Sequence, residues 1–143
     1  MSADPILTLA HSGGGMLLLL LAITSVVIAV LIAVKPAIDP ANIALVKAAN
    51  FVGLLEIIVA LFITLSGVTA AFMNSLPLSQ LWLWLSLMIM AFYVSALVWV
   101  TKPARMVVAK GGSEVKSGMQ VVLQMGHVLL LFPAYALMIL KPV

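Results

Sequence analysis

The chain has 143 residues, 65% of them hydrophobic and 8% charged, with a mean hydropathy of +1.32. Soluble domains carry about a quarter charged residues, so this chain has too little charge to cover a water-facing surface, and an integral membrane protein is expected. It has no cysteine, which excludes disulfides, thiolate metal sites and thiol nucleophiles, and its net charge of +3 falls mainly in two loops and carries no nucleic-acid signal.

Apolar stretches of about 20 residues, the length a bilayer requires, run over roughly 16–34, 48–71, 78–101 and 118–140. The apolar character of the first allows it to extend back to Ile6. Backbone groups in lipid must be satisfied internally, so these are expected to be helices. The connections are short, which predicts an all-α, four-helix transmembrane bundle of up-down-up-down topology, one domain over 1–143. The run His11-Ser-Gly-Gly-Gly15 reads as a flexible interfacial turn with a solvated histidine. Val34-Lys-Pro-Ala37 and Thr101-Lys-Pro-Ala104 read as stop signals, because proline does not continue a helix comfortably. The loop after the first span carries Lys35, Asp39 and Lys47. The loop after the third carries Lys102, Arg105, Lys110, Glu114 and Lys116, whereas 73–80 is uncharged. By the positive-inside rule the two basic loops are cytoplasmic and both termini lie outside, with Asp4 the N-terminal charge and Lys141 the one dissenting charge. The expected location is the bacterial cytoplasmic membrane, with the lipid bilayer as partner. Trp82, Trp84 and Trp99 fit interfacial aromatic belts.

Small and polar residues recur by threes and fours along each span, which marks inward faces. The first seam is Gly15, Leu18, Ala22, Ser25, Ala29 and Ala33. The second is Ala49, Gly53, Glu56, Ala60, Thr64, Gly67 and Ala71. The fourth is Ser117, Gln120, Gln124, His127, Leu131 and Ala134. The third span offers two faces, Trp82, Ser86, Ile89, Tyr93 and Ala96, or Met88, Ala91 and Ser95. Counted from the lysines of the basic loops, Ser25, Glu56, Tyr93 and His127 all fall at roughly 14–17 Å depth at 1.5 Å per residue. With Gln124 they form one expected polar layer.

A carboxylate and an imidazole within membrane spans are costly and mark a functional-site hypothesis. Such a pair can relay protons, ligate a metal or hold a cofactor edge. The plainer alternative is a satisfied polar knot that fixes helix register. If a haem b is bound, its iron takes His, or His with Met. His127 is then the expected ligand, also the candidate metal ligand, with Met88 or Met90 nearest in depth. His11 lies about 20 Å further along the bundle axis and belongs to a second, outer site or to none.

The stretches Thr8-Leu-Ala-His11, Pro77-Leu-Ser-Gln-Leu-Trp82-Leu-Trp-Leu-Ser86 and Leu137-Met-Ile-Leu-Lys-Pro142 resemble uncharacterised bacterial four-helix integral membrane proteins. More remotely, the chain is similar to the CopD-type copper-resistance domain and to HemJ-type membrane proteins. That resemblance implies haem, porphyrin or copper handling, with His11 matching the first-span histidine. Three functional readings stand open. The first is a haem-binding or redox-linked membrane protein with Glu56 as proton partner. The second is a proton-coupled small-solute carrier, acting as a homo-oligomer. The third is a non-catalytic accessory subunit of a larger respiratory or photosynthetic complex.

Overall fold

The computed structural model describes residues 5–35, 39–110 and 116–140. Asp4, Pro36, Ala37, Glu114, Lys141 and Pro142 lie outside them, as does the Ser117 side chain. The described residues form helices α1 (Pro5–Ala33), α2 (Pro40–Met73), α3 (Leu81–Ala96), α4 (Lys102–Ala109), α5 (Ser117–Leu129) and α6 (Leu131–Leu140), with a π-helical turn, Leu97–Thr101, joining α3 to α4. Four stretches are long and apolar enough to cross a membrane: Pro5–Ala33, Pro40–Met73, Leu81–Ala109 and Gly118–Leu137. The outward surface is apolar as well, with Leu17, Leu20, Phe51, Leu54, Leu61 and Phe92 all exposed. An apolar surface this continuous suits lipid and not water.

Local chemistry explains where the helices depart from the expected spans. Helix α1 runs unbroken through Gly13–Gly15, so the His11–Gly15 run is helical and not a turn. The missing side chains let neighbours approach: a Cβ at Gly14 would stand 3.1 Å from Ile63 Cγ1. Helix α2 starts two turns before the apolar stretch because Asp39 caps it, its carboxylate accepting from the Ala41 amide at 2.9 Å, with Pro40 in the first turn. It ends in a Schellman motif, Leu76 N–H to the Ala71 carbonyl and Ser75 N–H to that of Phe72, with Ser75 in the left-handed region at φ 53°. The fourth span breaks at Leu130. Pro133 cannot donate to the Leu129 carbonyl and its ring crowds that group, so the turn tightens to a Leu130 N–H bond to His127 O.

Thr101-Lys-Pro-Ala104 is not a stop. The Lys102 amide bonds the Leu97 carbonyl, five residues back, and the helix widens by one residue before Pro103. This insertion resets the phase of everything after it. In an uninterrupted helix Arg105 would point about 120° away from Tyr93, whereas one inserted residue brings it within about 20°. Trp82, Tyr93, Leu97, Thr101, Ala104, Arg105 and Val108 consequently share one buried face.

Helix α1 packs along α2 and α5, and α3 packs mainly on α6. Buried Ala22, Ala29, Ala49 and Ala60 keep these helices close. Helices α2 and α3 are joined by a short turn yet touch little, while α4 returns to α2 at the opposite end. The third span therefore crosses α2 obliquely. It closes the end that carries the lysine-bearing loops, here the basic end, and leaves a gap at the end of the Asn74–Gln80 turn, here the hairpin end.

Candidate functional site

Five helices contribute to one buried polar layer. Ser25 comes from α1, Glu56 from α2, Tyr93 from α3, Arg105 from α4, and Gln124 and His127 from α5. Glu56 and Tyr93 are fully buried, and none of the others exceeds 3% exposure. Ser25, Glu56, Gln124 and His127 arrive there because their seams turn inward as the three-and-four spacing requires.

The geometry centres on Glu56. Ser25 Oγ donates to Glu56 Oε1 at 2.6 Å. Glu56 Oε2 faces His127 Nε2 at 3.9 Å, an ion-pair distance longer than a hydrogen bond. Gln124 Nε2 donates to His127 Nδ1 at 3.2 Å. A neutral imidazole bonded in this way carries its proton on Nε2, aimed at Glu56. The Tyr93 ring packs against His127 with centroids 4.2 Å apart, and its hydroxyl faces the Glu56 carboxylate. Glu56 Oε2, His127 Nε2 and the Tyr93 hydroxyl have no hydrogen-bond partner of good geometry among the described residues. Three groups able to carry or receive a proton thus converge without being locked to one another.

Arg105 corrects the sequence reading most. Charge patterning places it in a cytoplasmic loop, but the π-helical turn swings it inward until it is 2% exposed. Its guanidinium donates to Asn50 Oδ1 at 3.1 Å and lies within electrostatic range of Glu56 and His127. A guanidinium stays charged in proteins, and a buried charge requires a partner; Glu56 is the carboxylate in range. Gln120 completes the basic end by donating to the Ala29 carbonyl at 2.7 Å. The signal that could have revealed Arg105 is proline placement, since Pro103 suits the first turn of a continuing helix as well as a stop.

Toward the hairpin end the layer is closed by apolar packing of Leu18, Ala22, Ala60, Ile63, Val128 and Leu131 around Tyr93. Beyond this plug stands His11, whose Nδ1 bonds Ser66 Oγ at 2.9 Å. Ser66 and Glu56 are separated by about 15 Å along α2, so the structure does not bring His11 and His127 together. Of the third span's two candidate faces, the one with Tyr93 turns inward, while Met88 and Ala91 are exposed. Met90 packs partly buried against the core. Trp84 and Trp99 lie outward, but Trp82 is buried and bonds Gln80.

An axial haem ligand needs a ring nitrogen facing the iron. Here one His127 nitrogen faces Gln124, the other faces Glu56, and Tyr93 covers the ring. His127 as placed does not fit that role. Among the described residues no group of three His, Cys, Asp or Glu side chains gathers to hold a metal ion. Comparison with family models, curated proteins and solved structures found no match.

Proposed function

We propose that this is a proton-linked membrane protein in which the Glu56–His127 pair takes up and releases a proton. The observation that carries the reading is the facing of Glu56 Oε2 and His127 Nε2, both buried and both without a hydrogen bond among the described residues. A side-chain rotation that shortens their gap by about 1 Å makes a hydrogen bond along which a proton can pass. Arg105 gives the proton a consequence. A proton gained by the pair changes the charge facing a buried guanidinium, and a low-dielectric surrounding magnifies that change. Proton binding is thereby coupled to the set of the π-helical turn that holds Arg105.

Access is one-sided in this arrangement. Asn50, partly exposed and one turn from Lys47, bonds Arg105 and begins a polar path from the basic end. By loop charge this end faces the cytoplasm. The apolar plug blocks the other side. The test is proton flux into proteoliposomes carrying an internal pH dye. Leu18→Ser, which places a hydroxyl in the plug, is expected to admit protons under an imposed membrane potential. Glu56→Gln in that background is expected to abolish the flux. Flux that is indifferent to Glu56→Gln, or no flux in the Leu18→Ser protein, contradicts the reading.

A further inference from the structure

The gap between α2 and α3 at the hairpin end holds a cavity of about 280 Å³, separate from the Glu56 layer and on the other side of the apolar plug. Its wall is mostly apolar, and small residues make the room. Gly67 matters most, because a Cβ there would stand 3.0 Å from His11 Cε1. The Cε1 corner of the imidazole therefore lies close against a glycine at the cavity wall.

The polar groups of the wall are not equally available. Thr64, Asn74, Ser86 and Tyr135 each spend a donor on a backbone carbonyl, those of Ala60, Ala70, Trp82 and Gly15 respectively; their oxygens and that of Thr8 can still accept, but an imidazole nitrogen is a better acceptor than a hydroxyl or amide oxygen. His11 differs. Ser66 Oγ gives its own hydrogen to the Ile63 carbonyl at 3.0 Å, so toward His11 it acts as the acceptor. His11 Nδ1 is then the protonated nitrogen, and Nε2 carries a lone pair. The nitrogen left to a ligand is an acceptor, held in orientation by Ser66 as a ligating histidine is held by its outer partner.

We propose that this cavity binds a lipophilic single-ring hydroxy compound, of the phenol or hydroquinone class, whose hydroxyl donates to His11 Nε2. Size favours one ring: a cavity of about 150 Å³ already holds benzene, and this one adds room for a substituent. Buried Trp82, with Tyr135 and the His11 imidazole, offers ring surfaces for stacking. A mostly apolar pocket with a few placed polar groups is the usual form of a small-molecule site.

The test is equilibrium binding to the full chain in lipid nanodiscs, with empty nanodiscs as reference. The probes are 4-hexylphenol, its methyl ether and 1-octanol. The phenol is expected to bind saturably at one per chain. The ether lacks the donor and octanol lacks the ring, so each is expected to bind at least fivefold more weakly, the scale of one net hydrogen bond. His11→Phe is expected to bring the phenol down to the affinity of the ether. Ala70→Leu, which fills the cavity, is expected to abolish saturable binding. Uptake no greater than by empty nanodiscs overturns the site. Equal binding of phenol and ether overturns the hydrogen bond, and equal binding of phenol and octanol overturns the ring. The probe comparison in the unaltered protein stands even where a variant does not fold.

Discussion

The two ends of α2 solve opposite problems with one seam. Around Glu56, alanines at 49 and 60 and serine at 25 let the helices close until a carboxylate, an imidazole and a guanidinium are sealed from lipid. Around Gly67, small residues face a helix that has moved away, and the same spacing yields a cavity with a single imidazole on its wall. Small residues permit close approach but do not compel it. The outcome depends on the third span, which the π-helical turn and α4 bring back to α2 at one end only. A buried layer of charged and polar groups tolerates little loosening, whereas a histidine on a cavity wall, held by Ser66, tolerates more.

The sharpest way to break this contrast is to remove the polar group at each end. Glu56→Ala removes the acceptor of Ser25 Oγ, the group facing His127 and the carboxylate whose charge reaches Arg105, and is expected to cost about 2–3 kcal/mol, the scale of a buried hydrogen bond to a charged group. His11→Ala removes one hydrogen bond beside an existing cavity and is expected to cost about 1 kcal/mol. Reversible unfolding in mixed micelles measures both. Equal losses would mean that the Glu56 layer is no more demanding than the cavity wall.

A smaller effect sharpens the comparison through the glycines. A Cβ at Gly53 meets only Leu97 Cδ1, at 3.9 Å, an ordinary contact. Gly53→Ala is therefore expected to be neutral, or stabilising by up to about 1 kcal/mol through helix propensity. Gly67→Ala drives a methyl into the His11 ring and is expected to be destabilising by about 1 kcal/mol despite the same propensity gain. Weakened phenol binding in Gly67→Ala would place the loss at His11. If the two glycines behave alike, His11 is not held where the structure places it.

Much of the Glu56 layer could be read from residue spacing. Leu18, Ala22, Ser25 and Ala29 on α1, and Gln120, Gln124, His127 and Leu131 on α5 and α6, recur at the intervals of a helix face, and all are buried. That pattern works because lipid gives polar groups no alternative partner. Spacing failed at Arg105, since one inserted residue turns the helix by about 100° and no residue type in Leu97–Thr101 announces it. It failed also at His11. Three consecutive glycines suggest a turn in isolation, but inside a bundle they are where Ile63 and Tyr135 come close. The start of α2 lies in Asp39-Pro40, a capping signal, which a span length set by bilayer thickness alone leaves out. The gap between α2 and α3 has no local signature, because it arises from which helices α3 prefers as neighbours.

In the proposed function, Glu56, His127 and Arg105 act as one proton-accepting unit. Among the described residues, Glu56 is the one carboxylic side chain within an apolar span, so its infrared carboxyl band can be isolated by subtracting the Glu56→Gln spectrum. That band, followed against pH in nanodiscs, is the most direct measurement. In His127→Ala and in Arg105→Gln the titration midpoint of Glu56 is expected to move by at least about one pH unit, equivalent to about 1.4 kcal/mol of interaction. One midpoint shared by the unaltered protein and both variants would show that the three groups do not interact, and would contradict the account.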